Sequence, residues 1–520
     1  MKRGMRVKTL HMLACDMGAS NGRIVYGLLE DGTLIIRELH RFVNRPVRLG
    51  GVLYWDFLQL FQELKNGLAA AAKEGLPIDT MGLNSWGNTI GLLDCQGDLL
   101  AQPYHYRDSN SHCILVSMQK EIPKDKQFTM TLFKPMDIQP TVFLKYLEMK
   151  KADLLSQTDT ILMISDLFNY FLTGVKASEI TMAATSQLLD IRSGRWNHHY
   201  REMLGIPDRF PDIILSGTPL GNLTEEIISE TGISGNLQVI AVAGHDTAAA
   251  SVCADMEHKA ESLYLSCGTW SCMGCLIDEP IEDLSLIRYG LTNDLSLYGK
   301  RNLRFNHTGL WILQECKREW ELQGQSYSWS ELTDMANESE PFHSFIDTEA
   351  QDFFEEGRMV EKIKDYCRRT GQSIPESVGE IVRNVCESLA LRYRYSRDCL
   401  ELYADCRFRK LQLLGGGSRN ELLCQSTADA LGIMVAAGPV EASVTGNFIQ
   451  QAIAAGMIQS MEEGLRIIER TWKCKTYHPN AVRENEWERI YKRMSPVFGW
   501  LPIVKGEGNE RSSAKIQERT

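Results

Sequence analysis

The chain has 520 residues, of which 43% are hydrophobic, and it carries a formal net charge of −11. A chain of this length can bury more than one apolar core, so two or more domains are expected. The acidic balance argues against a general nucleic-acid-binding surface, because neutralising phosphates needs clustered lysines and arginines. An enzyme that acts on small molecules is the default expectation.

No segment predicts export or insertion into a membrane. The apolar run after the basic start of the chain is short and leads into Asp16, unlike a secretory signal peptide. No run of about 18 apolar residues is present. The 14 cysteines lack a spacing framework, which is typical of reduced thiols in a cytoplasmic protein. The single C-x-x-C, from Cys272 to Cys275, has no second pair at zinc-finger spacing and is expected to be part of a strand.

Residues 13–23, LACDMGASNGR, are compatible with two chemistries. The stretch from Gly18 to Gly22 matches the G-x-S-x-G pattern of a hydrolase, with Ser20 as the nucleophile. Alternatively, consecutive small residues leave backbone N–H groups free to hold a phosphate, and the Asp16 carboxylate could hold Mg²⁺. In that case Gly18 and Gly22 could adopt positive φ without a penalty. A plain hairpin with a surface aspartate is the third interpretation.

The segment that follows favours the phosphate interpretation over the hydrolase. Two apolar runs are separated by Asp31-Gly32, a hairpin signal, so the chain should begin as strand, turn, strand, turn, strand. A nucleophile elbow needs a helix directly after the serine, whereas a second strand is expected after Gly22.

The rest of the first half alternates helical and extended patterns. A helix is predicted within residues 54–75, then a strand, a glycine-containing turn and a strand within 78–100, and helices around 141–150 and 161–172. The segment from Leu237 reads as a buried strand, a loop at His245-Asp246 and a helix. Asp246 could accept a proton from an alcohol that attacks phosphorus, but this segment by itself favours a helix N-cap. His245 alone is more often a packing residue than a catalytic one.

From residue 261 the chain repeats its own opening, with an apolar strand, the turn SCGTWS and a second apolar strand. Two halves that start with the same unit suggest two domains of related architecture, with a boundary near residues 255–260. Thr269 in this turn could contact a phosphate or simply end a strand. A long helix is predicted within 375–406, then a strand, GGGSRN at 415–420, and a helix from Glu421. The glycines lack G-x-G-x-x-G spacing and no P-loop is present, so a nucleotide would be held in another way.

In their order along the chain these segments resemble the FGGY family of carbohydrate kinases, over about residues 10–480. The markers are DMGASNGR, IRELHRF, WDF, SWGNTIGLLD, YRDS, LTG, HDTAAA, LSCGTWS, NHTGLWILQ, IPES, LLGGGSRN and GPVEAS-x-x-GN. The resemblance implies an α/β fold of two RNase-H-like domains, as in the actin, Hsp70 and sugar kinase superfamily, around a central cleft. It implies an N-terminal domain over residues 1–257, a C-terminal domain over 258–503 and a disordered tail over 504–520.

The resemblance also implies a site whose residues come from both halves. Asp16 would hold the metal, Mg²⁺, and Asp246 would be the catalytic base. The ATP site would be formed by Ala19, Ser20, Asn21, Gly22, Arg23, Thr269, Gln314, Gly415, Gly416 and Gly417. The sugar would be contacted by Gly87, Thr89, His245, Asp246, Thr247 and Asn306. Domain closure would exclude water, the competing nucleophile.

Within the family the match is best to kinases of L-rhamnulose, which implies ATP-dependent phosphorylation of a 6-deoxy-ketohexose at O1. One departure is Trp86-Gly87-Asn88-Thr89-Ile90, where that branch carries W-G-V-D-F, so a hydroxyl replaces a carboxylate. Another is Gly244, which replaces a serine. L-fuculose or another ketose is therefore the alternative substrate. A non-catalytic sugar or nucleotide sensor is the alternative class, and a monomer or homodimer that binds neither nucleic acid nor membrane is expected.

Overall fold

The computed structural model describes residues 9–254 and 261–504. The predicted domain boundary at residue 257 and the predicted disordered tail, except for Val504, lie outside the described residues and stay predictions. Among the helices of the described ranges, none combines the length and apolar composition that crossing a bilayer requires.

The first half contains a large sheet, several small two-stranded pairings and the helices around them. Its strands are β1 (Thr9–Met17), β2 (Asn21–Glu30), β3 (Thr33–Val43), β4 (Val47–Leu49), β5 (Val52–Tyr54), β6 (Thr80–Ser85), β7 (Ile90–Leu93), β8 (Thr160–Met163), β9 (Ser178–Glu179), β10 (Leu189–Asp190), β11 (Arg195–Trp196), β12 (Ile213–Ile214), β13 (Thr218–Asn222) and β14 (Gln238–Ala241). Its helices are α1 (Phe57–Lys73), α2 (Asn110–Glu121), α3 (Lys124–Thr131), α4 (Pro140–Lys150), α5 (Ala152–Gln157), α6 (Ile164–Thr173), α7 (Ile180–Ala184), α8 (His198–Met203), α9 (Glu225–Thr231) and α10 (Asp246–Ser251).

The second half has a comparable content. Its strands are β15 (Ser262–Cys267), β16 (Trp270–Ile277), β17 (Thr292–Leu295), β18 (Arg301–Thr308), β19 (Lys410–Leu414), β20 (Met434–Ala437) and β21 (Lys475–Tyr477). Its α-helices are α11 (Ser285–Tyr289), α12 (Trp311–Leu322), α13 (Trp329–Glu338), α14 (Met359–Arg369), α15 (Val378–Ala404), α16 (Glu421–Leu431), α17 (Ala442–Ala454), α18 (Met461–Thr471) and α19 (Ala481–Val497), and short 3-10 turns cover Leu297–Gly299, Gln351–Phe353 and Gly416–Arg419.

The large sheet of the first half has the strand order β13-β14-β6-β1-β2-β3. Strands β1, β2 and β3 are antiparallel, and β6 and β14 continue the sheet in parallel on the other side of β1. Asp31 and Gly32 form the β2–β3 turn with φ of 50° and 72°, the two positive values that a tight hairpin requires. The predicted strand-turn-strand opening is therefore confirmed.

The sheet of the second half repeats this pattern in the order β17-β18-β16-β15-β19-β20-β21. Strands β15, β16 and β18 are antiparallel, and β19 and β20 continue in parallel on the other side of β15. The predicted repeat of the opening unit is thus confirmed, as is the two-domain α/β fold. Most of each half's apolar residues pack into its own core cluster.

One element of the first half differs from the prediction. Residues 161–172 were predicted to be helical throughout, but β8 covers the first of them and α6 begins at Ile164. Strand β8 pairs with β7 in antiparallel register, Ile90 opposite Met163. The apolar run is uniform, so periodicity could not separate a short buried strand from a helix, and the pairing that decides it is distant in sequence.

Helix α17 belongs to the second half but lies on the sheet of the first. Its Phe448 ring packs on Gly27 of β2, where a Cβ would lie 2.7 Å from the ring. Its Asn447 side chain packs on Gly82 of β6, where a Cβ would lie 2.6 Å from Asn447 Oδ1. Gly446 faces helix α10 in the same way, since a Cβ there would lie 1.9 Å from the Ala249 carbonyl oxygen. A third apolar cluster, with members from both halves, surrounds this junction. Bare backbone on three elements thus lets the two halves approach closely.

We expect Gly446→Ala to lower the melting temperature, although alanine favours helices. Its methyl group would collide with backbone rather than with a movable side chain, and such overpacking costs about 1–3 kcal/mol. Gly235→Ala, in the loop before β14, is the control, because its Cβ would approach the movable Cδ1 end of the Ile228 side chain, at 3.0 Å. Calorimetric scans that give equal melting temperatures for the two variants would contradict this account of the junction.

Candidate active site

A cleft of about 310 Å³ lies between the two halves. The first half contributes the end of β1, the turn that leads into β2, the turn after β6 and the start of α10. The second half contributes the β15–β16 turn, the inner face of β18, the turn after β19 and the start of α17. The predicted site residues that line the cleft are Asp16, Ala19, Ser20, Asn21, Arg23, Gly87, His245, Asp246, Thr247, Thr269, Asn306, Gly415 and Gly416. The four that do not line it are Gly22, Thr89, Gln314 and Gly417.

Asp16 is held at the end of β1 by donors from three other elements. Its Oδ2 accepts bonds from Arg23 Nε at 3.0 Å, Arg23 Nη2 at 2.9 Å and Ser443 Oγ at 3.0 Å, and its Oδ1 accepts one from Asn84. Arg23 also pairs with Glu441 from the second half. The Arg23 guanidinium is therefore occupied by two carboxylates, and it orients Asp16.

The first predicted phosphate turn is a three-residue loop, residues 18–20, between two antiparallel strands. Asn44 fixes its backbone by donating to the Gly18 carbonyl at 2.9 Å and the Ser20 carbonyl at 3.0 Å. Strand β2 follows Ser20 directly, so the strand-to-helix geometry of a hydrolase nucleophile is absent from this turn.

The two glycines of this turn do not have the role expected of them. Neither Gly18 nor Gly22 has a positive φ. Glycine is required at position 22 because the Phe42 ring packs on its Cα, where a Cβ would lie 2.1 Å from that ring. Gly22 therefore contributes to the packing beneath the turn and does not line the cleft.

Asp246 is the first residue of α10 and lies in the same cleft as Asp16. Burial raises its pKa to about 7, and the negative charge of Asp16 adds to the shift. Thr247 Oγ1 donates to Asp246 Oδ1 at 3.2 Å, and His245 Nε2 lies 3.7 Å from the same oxygen. Burial lowers the pKa of His245 to about 3, with a smaller contribution from the positive charge of Arg304. The His245 imidazole is therefore neutral at pH 7. A carboxyl group poised to exchange a proton near neutral pH is what general base catalysis needs.

The turns of the second half present small residues to the cleft. A Cβ on Gly416 would meet no atom within 4 Å, so this backbone is open to a ligand. Gly415 has a φ of 78°, which glycine adopts without strain. Gly417 packs on Cys267, and Gln314 lies behind Thr269, whose hydroxyl donates to Gln314 Oε1 at 3.2 Å. These two predicted nucleotide contacts lie behind the wall of the cleft.

Thr89 was expected to contact the sugar, and its position does not support that expectation. Its hydroxyl is buried and accepts bonds from the indole nitrogens of Trp55 at 3.1 Å and Trp86 at 3.0 Å. Trp86 lies between Thr89 and the cleft and lines the cleft itself. Thr89 therefore fixes the orientation of Trp86, and its effect on a ligand would pass through that ring.

Two cationic side chains that line the cleft, Arg304 and Lys134, were not predicted from the sequence. Arg304 is buried on β18, where Asp294 pairs with its guanidinium, and Arg304 Nη1 donates to Cys272 Sγ at 3.4 Å. Lys134 comes from the first half and donates to the Gly290 carbonyl of the second at 3.2 Å, and burial lowers its pKa to about 8. Arg304 could have been suspected, because it precedes Asn306 by two residues and so shares its face of a strand. Lys134 carries no local signal.

The residues present fit a nucleotide phosphate with Mg²⁺. Mg²⁺ is commonly held by one or two carboxylates together with waters and substrate phosphates, and Asp16 supplies one carboxylate at the phosphate turn. Across residues 9–254 and 261–504 no group of three or more acidic, histidine or cysteine side chains could form an all-protein metal cage. The small-residue turns of both halves would hold the phosphates through backbone N–H groups.

Two family models match the chain. The N-terminal domain of the FGGY family of carbohydrate kinases matches residues 11–253, and its C-terminal domain matches residues 263–455. The rhamnulokinase of Bacteroides thetaiotaomicron is 36% identical over 92% of this chain and 98% of its own length. The rhamnulokinase of Lactiplantibacillus plantarum is 33% identical over 92% of this chain and 97% of its own length. Among solved structures, gluconate kinase from Lactobacillus acidophilus covers 95% of this chain and 99% of its own with a TM-score of 0.75 at 15% identity, which is a likeness of fold.

We expect Asp246→Asn to stabilise the protein at alkaline pH. Between the ordinary pKa of 3.8 and about 7, the folded wild type keeps a proton that the unfolded chain has released, so its stability falls as pH rises through this window. Asparagine does not titrate, so the variant's melting temperature should exceed that of the wild type at pH 8 and approach it near pH 4. Asp153→Asn, which removes an exposed carboxylate from α5, controls for net charge. A variant that melts below the wild type at pH 8 would refute the assignment.

Proposed function

The chain belongs to the FGGY family of carbohydrate kinases, and we propose that it transfers the γ-phosphoryl group of ATP to O1 of L-rhamnulose. The observation that carries the proposal is one cleft shared by Asp246 and the small-residue turns of both halves. The substrate is taken from the two rhamnulokinases, which align with nearly the whole chain.

In this reaction Asp246 is the general base. Its carboxylate accepts the proton of the sugar hydroxyl as that oxygen attacks the γ-phosphorus, and the phosphorus–oxygen bond to the β-phosphate breaks. Gly87, His245, Thr247 and Asn306 line the cleft around Asp246 and are the proposed sugar contacts. The neutral imidazole of His245 can accept or donate a hydrogen bond there without competing for the proton.

The remaining groups position the phosphates and balance their charge. The turns at Ala19 and Ser20, at Thr269, and at Gly415 and Gly416 would hold them from the two sides of the cleft. Asp16 would hold Mg²⁺, which neutralises phosphate charge when bound. Asn84, Arg23 and Ser443 fix the Asp16 carboxylate before any ligand arrives, so the site needs little reorganisation.

Two alternatives remain beside this proposal. L-fuculose, or another ketose, is the alternative substrate, because Thr89 replaces a carboxylate of the rhamnulose branch and its hydroxyl is bonded to Trp86, which lines the cleft. A non-catalytic sensor on the same fold is disfavoured, because both Asp16 and Asp246 are present and line the cleft. We place the protein in the cytoplasm, because all 14 cysteines are free thiols. We propose that it is a monomer or homodimer.

A ketose panel tests the activity. ADP release should depend on added ketose, with L-rhamnulose turned over at higher kcat/KM than L-fuculose, L-xylulose or L-ribulose. Asp246→Asn should lower kcat by at least about a hundredfold, the lower range of general base contributions. Ser20→Ala should cause only a partial defect. Ketose-independent ATP turnover, or none, would refute a ketose kinase, and preference for another ketose would overturn L-rhamnulose alone.

The pH dependence provides a separate test. Because the base must be unprotonated and its pKa is raised to about 7, kcat/KM for the ketose should fall below about pH 7 with the slope of a single proton. Glycerol kinase from another source, coupled to the same detection system, controls for the coupling enzymes. A profile that stays flat down to pH 5 would rule out Asp246 as the titrating base.

A further inference from the structure

A buried carboxylate lies behind the loop that carries Asp246. Glu179 ends the short strand β9, directly before α7, and its side chain is 1% exposed. It is not among the residues that line the cleft, so it is out of reach of the sugar and the nucleotide. Its position raises the question of why an acid is kept there.

Within the described residues, each hydrogen bond of the Glu179 side chain comes from a donor that points at its carboxylate. Glu179 Oε2 accepts bonds from the backbone nitrogens of Gly244 at 3.0 Å, Thr181 at 3.0 Å and Met182 at 3.2 Å, and from the Thr181 hydroxyl. Glu179 Oε1 accepts a bond from Ser216 Oγ at 2.6 Å. The carboxylate therefore ties together the start of α7, the loop before β13 and the loop before α10.

Glu179 is linked in two ways to the loop before α10, the helix that begins with Asp246. Gly244 N bonds to Glu179 directly, and His245 N donates to Thr181 Oγ1 at 3.2 Å, whose hydroxyl in turn donates to Glu179. These are the two amides immediately before Asp246. The loop is also packed from behind, since a Cβ on Gly244 would lie 2.4 Å from Ser165 Oγ and 2.6 Å from Met182 Cγ.

Capping α7 does not by itself explain a glutamate here. A serine or aspartate caps a helix N-terminus equally well. Burial raises the pKa of Glu179. The carboxylate of the neighbouring Asp166 accepts the Glu179 N–H, and burial together with the Glu179 charge raises the pKa of Asp166 well above its usual value. Two adjacent buried acids are unfavourable for stability. Besides capping α7, the Glu179 carboxylate accepts a hydrogen bond from the backbone nitrogen of Gly244.

We infer that Glu179, acting through Thr181, is a positioning residue that sets the placement of Asp246 for proton abstraction. The inference rests on the proposed kinase function. It assigns Glu179 no contact with either substrate: the carboxylate fixes two consecutive amides, and they fix where α10 begins and where its first side chain points. Displacing a reacting group by about 1 Å can cost a hundredfold in rate.

The test removes the link while keeping the shape. Thr181→Val, which is nearly isosteric, deletes the hydroxyl that joins His245 N to Glu179, and we expect kcat to fall about tenfold while KM for ATP stays within twofold. Thr181→Ser restores the hydroxyl and should recover kcat to within twofold of the wild type. Ser216→Ala is the matched control: it removes one buried bond from the same carboxylate but leaves the Asp246 loop tied, so kcat should change less than twofold.

Glu179 itself is tested with two variants. Glu179→Gln keeps an acceptor for Gly244 N and should retain more activity than Glu179→Ala, which leaves five donors without their acceptor. Melting temperatures separate these effects from unfolding. If Thr181→Val matches the wild type in kcat, or Ser216→Ala loses as much as Thr181→Val, the inference is overturned.

A measurement that needs no activity distinguishes this inference from the proposed function. Amide hydrogen exchange of peptides covering residues 240–250 should be faster in Thr181→Val than in the wild type, with peptides of the second half unchanged. A wild type that phosphorylates no ketose defeats the function while this exchange result stands. Unchanged exchange in an active enzyme defeats the positioning role alone.

Discussion

The structure depends on the burial of helix α17 from the second half against the sheet of the first. The helix brings polar side chains into an apolar junction, where each needs a partner. They form a chain: Asn447 Nδ2 donates to Asn84 Oδ1 at 2.8 Å, Gln451 Nε2 donates to Asn447 Oδ1 at 2.6 Å, and Thr80 Oγ1 donates to Gln451 Oε1 at 2.7 Å. Sliding the helix along the sheet would break several of these bonds together. The register between the halves is therefore set by polar matching as well as by shape.

This chain of hydrogen-bonded side chains ends at Asp16 in the cleft. Asn84, oriented by Asn447, donates to Asp16, and Ser443 and Glu441 at the start of the same helix bind Asp16 and Arg23. Asp16 thus meets four donated bonds, whereas Asp246 has the Thr247 hydroxyl and its own helix N-terminus. Two carboxylates in one cleft are thereby given different chemistry. The carboxylate with four donors suits a cation and phosphates, and the carboxyl group with fewer donors, whose pKa is raised, suits a proton.

The sequence predicts what short-range patterns control. The Asp31-Gly32 hairpin, the repeated opening at residue 261 and the His245-Asp246 loop are all local signals, and the structure has each of them. Contacts between distant segments have no such signal: the Lys134 bridge to Gly290 spans 156 positions, and the Glu179 bond to Gly244 spans 65. Thr89 and Gly22 were assigned to ligands through the family resemblance. In the structure the Thr89 hydroxyl is bonded by the Trp55 and Trp86 indoles, and the Phe42 ring packs on Gly22.

The position of Asp246 is determined by groups from both halves. Glu179 and Thr181 bind the loop from the first half, and Gln450 of α17 binds it from the second, accepting a bond from Ala243 N at 2.7 Å. Asp16 is likewise tied to α17 through Asn84 and Ser443. Helix α17 is bonded both to Asp16 and to the segment that leads to Asp246, so a movement of the outer parts of the halves would open the cleft without changing the spacing of these two residues. The proposed proton acceptor and the proposed phosphate turn would then keep their relation, and the expected closure would bring only the turns of the second half into place.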